Sequence, residues 1–126
     1  MKRLIAAAAL IASTGASVAQ DVEKGASAFK ICMACHSIGG GAKNKIGPEL
    51  NGLDGRNSGS VPGYNYSDAN KNSGITWDAA TLNEYLKDPK AKVPGTKMAF
   101  PGLPKDEDRA NVIAYLSTFG PDGKTK

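Results

Sequence analysis

The stretch Cys32-Met33-Ala34-Cys35-His36 decides the fold of this chain. Its two thiols are separated by two residues, a spacing that lets them reach both vinyl groups of one porphyrin. The imidazole that follows directly is a ligand for the porphyrin iron. We therefore interpret the stretch as a site of covalent haem attachment through Cys32 and Cys35, with His36 on the iron.

Three other chemistries use paired cysteines: a zinc site, a redox dithiol and a structural disulfide. The chain has two Cys and one His, whereas a structural zinc site takes four nitrogen or sulfur ligands. A redox dithiol opens a helix after a strand in a βαβ unit, and no convincing strand pattern occurs here. A disulfide would close a very short loop, add little stability and leave His36 without a role. The disulfide and the dithiol stay open as the weaker alternatives.

The chain begins with the pattern of a secretory signal peptide. A positively charged start precedes the apolar run Leu4 to Ala12, and the small residues Ser17 and Ala19 stand where a signal peptidase cleaves. The apolar run is too short to span a bilayer, although an uncleaved anchor is the alternative. We predict a signal peptide at 1–19 and one domain at 20–126, located in the periplasm.

Composition points to a small domain that needs its cofactor in order to fold. The precursor carries a net charge of +4, and removal of Lys2 and Arg3 takes the mature chain to +2, which does not identify a partner. The mature chain is rich in Gly and poor in aromatic residues, so its own core is marginal. Because a buried porphyrin would supply the missing apolar contacts, we expect the apoprotein to be largely unfolded.

Apolar periodicity and capping residues predict an all-α protein with long loops. Helices are predicted to begin near Asp21, Tyr66, Thr76 and Lys105, with Asp21, Ser67 and Thr76 as caps. The first helix should carry Val22, Gly25, Ala26 and Phe29 on its apolar face. The third should stop at Pro89, and the last should bury a face of Val112, Ile113, Leu116 and Phe119 before it ends at Gly120. Loops are predicted at 37–63 and 90–104, and the first is too long for an ordinary connection unless it wraps a cofactor.

Met98 is the candidate for the second axial ligand of the iron. Of the three methionines, Met1 leaves with the signal peptide and Met33 lies between the cysteines on the His36 side. Met98 follows the turn-rich segment Pro94 to Lys97, which could cross the opposite haem face. A thioether is a soft ligand that suits haem iron and raises its potential. The alternative is that Met98 only fills a gap in the core.

The chain resembles a class I cytochrome c, close to mitochondrial cytochrome c and its periplasmic bacterial relatives of the c-two type. The matching stretches follow the family's order and cover nearly all of the mature chain: CMACHSIG, KIGPELNGLDGR, GYNYSDANK, GITW, LNEYLKDP, VPGTKMAFPG and RANVIAYL. The resemblance implies the class I cytochrome c fold, with four to five short helices and long loops wrapped around one covalently bound haem c.

The resemblance also implies roles for particular residues. Pro48 would accept a hydrogen bond from His36, whereas Phe100 would shield the haem edge. The haem propionates would be held by Arg56, Tyr66 and Trp77. A polar network beside Met98 would be formed by Asn70, Tyr85 and Thr96. The predicted cofactor-binding residues are therefore Cys32, Cys35, His36, Pro48, Arg56, Tyr66, Asn70, Trp77, Tyr85, Thr96 and Met98, with His36 and Met98 as the iron ligands.

The implied function is one-electron transfer between a membrane cytochrome bc complex and a terminal oxidase, a peroxidase or a photosynthetic reaction centre. Both iron ligands stay bound during transfer, so no residue needs to act as base or nucleophile and we do not expect an enzyme. The alternative is a haem peroxidase or gas-binding protein with a labile sixth ligand.

Redox partner proteins are the expected partners of a monomer that has no membrane span and binds no nucleic acid. They should dock at a basic haem edge formed by Lys43, Lys45, Lys90 and Lys97. Two departures from the animal proteins affect this surface: Ile31 replaces a lysine, and Lys92 replaces a tyrosine.

Overall fold

The computed structural model describes residues 20–126, so the predicted signal peptide lies outside the described residues. Five α-helices and one 3₁₀ helix occur in this range, and no β-strand does. The helices are α1 (Val22–Phe29), the 3₁₀ helix (Cys32–Ala34), α2 (Asp68–Lys71), α3 (Ala79–Lys87), α4 (Pro89–Lys92) and α5 (Asp106–Ser117). The prediction of an all-α fold is confirmed. None of the helices at 20–126 has the length and apolarity needed to cross a membrane.

Helices α1 and α5 cross at a glycine. A Cβ atom placed on Gly25 would lie 2.0 Å from the backbone oxygen of Asn111 and 2.8 Å from the Tyr115 Cβ. Beside this crossing the rings of Phe29 and Tyr115 pack with their centroids 5.4 Å apart. Only a residue without a side chain lets the two backbones approach this closely.

The start of α1 is capped from two directions. The Asp21 carboxylate accepts a hydrogen bond from the Lys24 amide at 3.0 Å, as the sequence predicted. The Asp21 amide in turn donates to the Asn111 side chain of α5 at 2.9 Å. The pattern also predicted Val22 on the apolar face, which is wrong as a prediction of burial: Val22 is 44% exposed, and the buried residues of α1 are Gly25 and Phe29.

Local capping corrects the predicted bounds of three helices. Thr76 does not cap α3; Asp78 does, through a reciprocal capping box with Thr81. The residues predicted as a loop from position 90 begin instead with α4, because Asp88 caps that helix and Pro89 suits its first turn. Helix α2 is capped by Ser67 as predicted, although it begins at Asp68 rather than at Tyr66.

The last helix ends earlier than the pattern indicated. Helix α5 ends at Ser117, so Phe119 lies beyond it and is only partly buried. The backbone oxygen of Phe119 accepts a hydrogen bond from the Gly52 amide at 3.3 Å. The segment after α5 therefore turns back onto the long loop at 37–63, which contains no helix or strand.

One continuous apolar core lies between α1, α3, α5 and the loops. Its buried members are Phe29, Leu53, Trp77, Leu82, Tyr85, Leu86, Val93, Val112, Ile113 and Leu116. Cys32 of the 3₁₀ helix and Met98 of the loop before α5 are partly buried and pack against this same cluster. The core thus brings together two sulfur-bearing residues that are far apart in sequence.

A buried cation, which the sequence did not indicate, ties α5 to α3. Arg109 is 1% exposed. Its guanidinium donates to the Asn83 side chain at 2.8 Å, to the Leu103 carbonyl at 2.6 Å and to the Asp106 carboxylate. Because its donors are satisfied by these groups, the charge is tolerated inside the fold.

Candidate functional site

The two cysteines lie on a single turn of 3₁₀ helix. The Cys35 amide donates to the Cys32 carbonyl at 3.1 Å, and the His36 amide donates to the same oxygen at 2.9 Å. Both thiols are free and partly buried. Burial, with a smaller effect of Cys35, raises the pKa of Cys32 to about 11. A raised pKa disfavours the thiolate form of Cys32, and the thiolate is the nucleophile that a redox dithiol needs.

The His36 ring is fixed by the loop that follows the motif. Its Nδ1 lies 2.7 Å from the Pro48 carbonyl oxygen, which can only accept, so Nδ1 carries the proton and Nε2 keeps its lone pair. Burial lowers the pKa of His36, although the bond to Pro48 opposes this, and the charges of Arg56 and Lys45 lower it further. The imidazole is therefore neutral at neutral pH, which is the form that binds a metal.

Gly47 provides the space in which this ring lies. A Cβ atom on Gly47 would lie 2.4 Å from the His36 Cε1. The Gly47 amide donates to the Cys35 carbonyl at 2.8 Å, which ties the loop back to the motif. The absence of a side chain at this position is therefore required for the orientation of His36.

A polar network fixes the segment that contains Met98. The Thr96 hydroxyl donates to the Asn70 side-chain oxygen at 2.9 Å, so it accepts from the Tyr85 hydroxyl, 2.9 Å away. The Met98 amide donates to the same Thr96 oxygen at 3.3 Å. Burial raises the pKa of Tyr85, so its hydroxyl stays protonated and donates. The structure thus brings together Asn70, Tyr85 and Thr96 beside Met98.

Arg56 and Trp77 are brought together by two antiparallel segments. The Trp77 amide donates to the Arg56 carbonyl at 2.8 Å, and the Gly55 amide donates to the Trp77 carbonyl at 2.7 Å. The Trp77 ring packs against the Tyr85 ring, with centroids 4.9 Å apart. This pairing connects the predicted propionate-binding residues to the network beside Met98.

Tyr66 is the third residue predicted to hold a propionate, and its hydroxyl contacts a backbone group of the chain. The Tyr66 oxygen accepts a hydrogen bond from the Val61 amide at 3.0 Å. The hydroxyl proton is not used in that bond. Tyr66 also packs edge-on against Tyr64, with centroids 4.7 Å apart. Phe100 is half-buried.

Sequence reasoning missed Glu49 and Asn51, two polar residues of the site. The Glu49 carboxylate forms an ion pair with Arg56 at 3.3 Å. The Asn51 side chain donates to the Gly39 carbonyl at 2.9 Å and accepts from the Gly39 amide at 2.7 Å. Both residues stand in the KIGPELNGLDGR stretch, but nothing in their spacing indicates these contacts.

The residues present fit a haem of the c type. Cys32 and Cys35 supply two free thiols for two thioether bonds on one helical turn. His36 presents a neutral imidazole in the space that Gly47 leaves. Met98 supplies a thioether against the same core as Cys32. Arg56 supplies N–H donors for a buried carboxylate.

Comparisons with known proteins agree with this site. The family model for cytochrome c matches residues 22–120. A cytochrome c2 from Rhodoplanes tepidamans is 62% identical over 107 residues, which are 85% of this chain and 100% of that protein. A cytochrome c-550 from Nitrobacter winogradskyi is 64% identical over 106 residues, which are 84% of this chain and 97% of that protein.

A solved structure extends the likeness to the fold. It is that of cytochrome cH from Methylobacterium extorquens, with a TM-score of 0.74 and 48% identity over 78% of this chain and 98% of that one. The chain belongs to the cytochrome c family, as a class I member of the c2 type. It accordingly binds haem c covalently through Cys32 and Cys35, and its general role is electron transport.

Proposed function

We propose that this cytochrome carries single electrons through the periplasm, from a membrane cytochrome bc complex to a terminal oxidase, a peroxidase or a photosynthetic reaction centre. In this proposal His36 and Met98 would hold the haem iron. The observation that carries it is that Cys32, the first residue of the attachment motif, and Met98 pack against one apolar core. The pattern of a signal peptide at 1–19 supports the periplasmic location.

The bound haem supplies an iron that gains and loses one electron. The residues of this chain keep both ligands in place: Pro48 orients His36 through a 2.7 Å hydrogen bond, and Thr96 fixes the backbone of Met98. The remaining proposed haem-binding residues keep the surroundings ordered: Arg56, Tyr66, Asn70, Trp77 and Tyr85. Fixed ligands and closely packed apolar side chains around them reduce the movement of atoms that accompanies electron transfer.

The first test combines a visible spectrum with an extraction. In acid and organic solvent the haem of the denatured protein should stay with the polypeptide, because two thioether bonds hold it. The ferrous protein should keep the same spectrum under carbon monoxide, because Met98 occupies the sixth position. Haem that enters the solvent would contradict covalent attachment. A spectrum that changes under carbon monoxide would favour the gas-binding or peroxidase alternative.

We further propose that basic residues near the site guide the carrier to acidic partners. Of the four lysines predicted at the haem edge, two are held by contacts within the chain. The Lys45 ammonium donates to the Met33 carbonyl at 2.7 Å. The Lys97 ammonium donates to the Asn65 carbonyl and lies 4.9 Å from the centre of the Tyr64 ring. All four lysines are exposed, but Lys43 and Lys90 make no such side-chain contact with the residues described at 20–126, so they are the better candidates for contact with a partner.

The double variant Lys43→Glu/Lys90→Glu should associate with an acidic redox partner about tenfold more slowly at low ionic strength. The difference should shrink as salt is added, because salt screens the charges. Stopped-flow electron transfer across a salt series measures this effect, and the reduction potential should stay close to that of the wild type. The matched control is Lys124→Glu/Lys126→Glu in the C-terminal tail. An equal loss in both double variants would mean that net charge alone governs association.

A further inference from the structure

Glu49 and Arg56 form a largely buried ion pair at the proposed site. The Glu49 Oε1 lies 3.3 Å from the Arg56 Nη2, and the two side chains are 22% and 11% exposed. An ion pair that is this well shielded is screened little by salt, so each of its charges acts on its immediate surroundings more strongly than the charge of an exposed residue does. The carboxylate is thus a fixed negative charge inside the site.

Hydrogen bonds to backbone groups hold both side chains of the ion pair in position. Arg56 also donates to the Glu49 carbonyl at 2.7 Å and to the Asn51 carbonyl. The second carboxylate oxygen of Glu49 accepts from the Asn51 amide at 2.6 Å. Among the contacts within residues 20–126, these bonds use three of the five N–H groups of Arg56. The other two can meet a propionate.

The carboxylate is also close in the chain to the residue that orients His36. Glu49 directly follows Pro48, whose carbonyl accepts the His36 Nδ1–H at 2.7 Å. Its own amide is fixed by the Asn44 side chain at 3.0 Å. The Glu49 backbone therefore belongs to the rigid turn that positions the imidazole, and the charge of Glu49 is held near the iron site without touching it.

We propose that Glu49 is a positioning residue that lowers the reduction potential of the haem, by offsetting the positive charge with which Arg56 meets a propionate. This inference rests on the proposed function, in which Arg56 holds that propionate. The reduced iron carries one positive charge fewer than the oxidised iron. A positive charge near the site therefore repels the oxidised form more strongly and favours the reduced form. Glu49 offsets that effect, so removal of its charge should favour the reduced form.

The test is Glu49→Gln, which removes the charge but keeps the size of the side chain and its ability to accept from Asn51. The equilibrium should shift toward the reduced form by about three- to tenfold, which is about 30–60 mV at 59 mV per tenfold change. Glu23→Gln is the matched control, because Glu23 is exposed in the first turn of α1. Its potential should equal that of the wild type.

A third and a fourth variant complete a double-mutant cycle. Arg56→Gln should lower the potential, because the guanidinium is lost while the carboxylate stays. The double variant Glu49→Gln/Arg56→Gln should fall between the single variants, because both charges are absent. If Arg56→Gln does not yield holoprotein, Arg56→Lys with and without Glu49→Gln replaces it. The shift caused by Glu49→Gln should then persist in the lysine background, since the positive charge remains.

The direction of the shift separates this inference from damage to the site. Loss of the Met98 ligand lowers the potential, whereas loss of the Glu49 charge should raise it. A Glu49→Gln protein with an unchanged or lowered potential would overturn the inference, and so would an equal rise in Glu23→Gln. A wild type without covalent haem would overturn the proposed function itself, and extraction of the denatured protein detects that case separately.

Discussion

Met98→Ala should lower the reduction potential strongly and let the ferrous protein bind carbon monoxide. The thioether is a soft ligand that stabilises ferrous iron, so its loss favours the ferric form. Axial ligands set haem potentials over a range of about 0.8 V, and we expect a drop of about 0.1–0.3 V. Redox titration gives the potential, and the visible spectrum of the reduced protein under carbon monoxide reports the open position.

Met33→Ala is the matched control for this experiment. Met33 carries the same side chain, lies between the two cysteines and is 54% exposed. Its replacement should leave both the potential and the response to carbon monoxide unchanged. If Met98→Ala also behaves like the wild type, another residue ligates the iron and the proposed ligand set is wrong.

Gly25→Ala should destabilise the holoprotein by about 2–4 kcal/mol, even though alanine is the better helix former. The new Cβ would lie 2.0 Å from the Asn111 carbonyl oxygen, and this atom belongs to the backbone of α5. A backbone atom cannot turn aside as a side chain does, so the two helices must separate. Separation weakens the contact of Phe29 with Tyr115 and the Asn111 cap on α1.

Gly40→Ala is the control, because no atom lies within 4 Å of a Cβ at this position and its φ is not positive. We expect a change within about 0.5 kcal/mol there. Guanidinium unfolding of both variants, followed by circular dichroism, gives the two free energies of unfolding. Equal stability of the two variants would show that the helix crossing tolerates a side chain.

Local sequence signals predicted most of the helices, and their errors have local causes. Asp21 and Ser67 cap α1 and α2 as predicted, because an N-cap depends on residues within one turn. The prediction failed at α3, where the N-cap is Asp78 and not Thr76, because Thr81 completes a capping box with Asp78. It failed at α4 because Pro89 was interpreted as a stop, whereas proline also suits a first helical turn.

The sequence by itself determined the haem attachment and the all-α class. Five consecutive residues carry both thiols and the imidazole, and the supply of Cys and His in the chain excludes a four-ligand zinc site. The same kind of elimination predicts Met98 as the second ligand, and this stays a prediction. The inference of haem attachment succeeds because covalent chemistry depends on residue types and short spacings, not on how distant segments pack.

Only the tertiary structure decided which polar groups surround the site and the core. The Asn111 cap on α1 joins residues 90 positions apart, and the bond of Arg109 to Asn83 joins residues 26 positions apart. The ion pair between Glu49 and Arg56 likewise depends on a turn that no periodicity describes. Periodicity shows which face of a helix is apolar, but the partner of a buried polar group depends on where segments cross. That crossing is set by close approaches such as Gly25 against Asn111, which exist only in the folded chain.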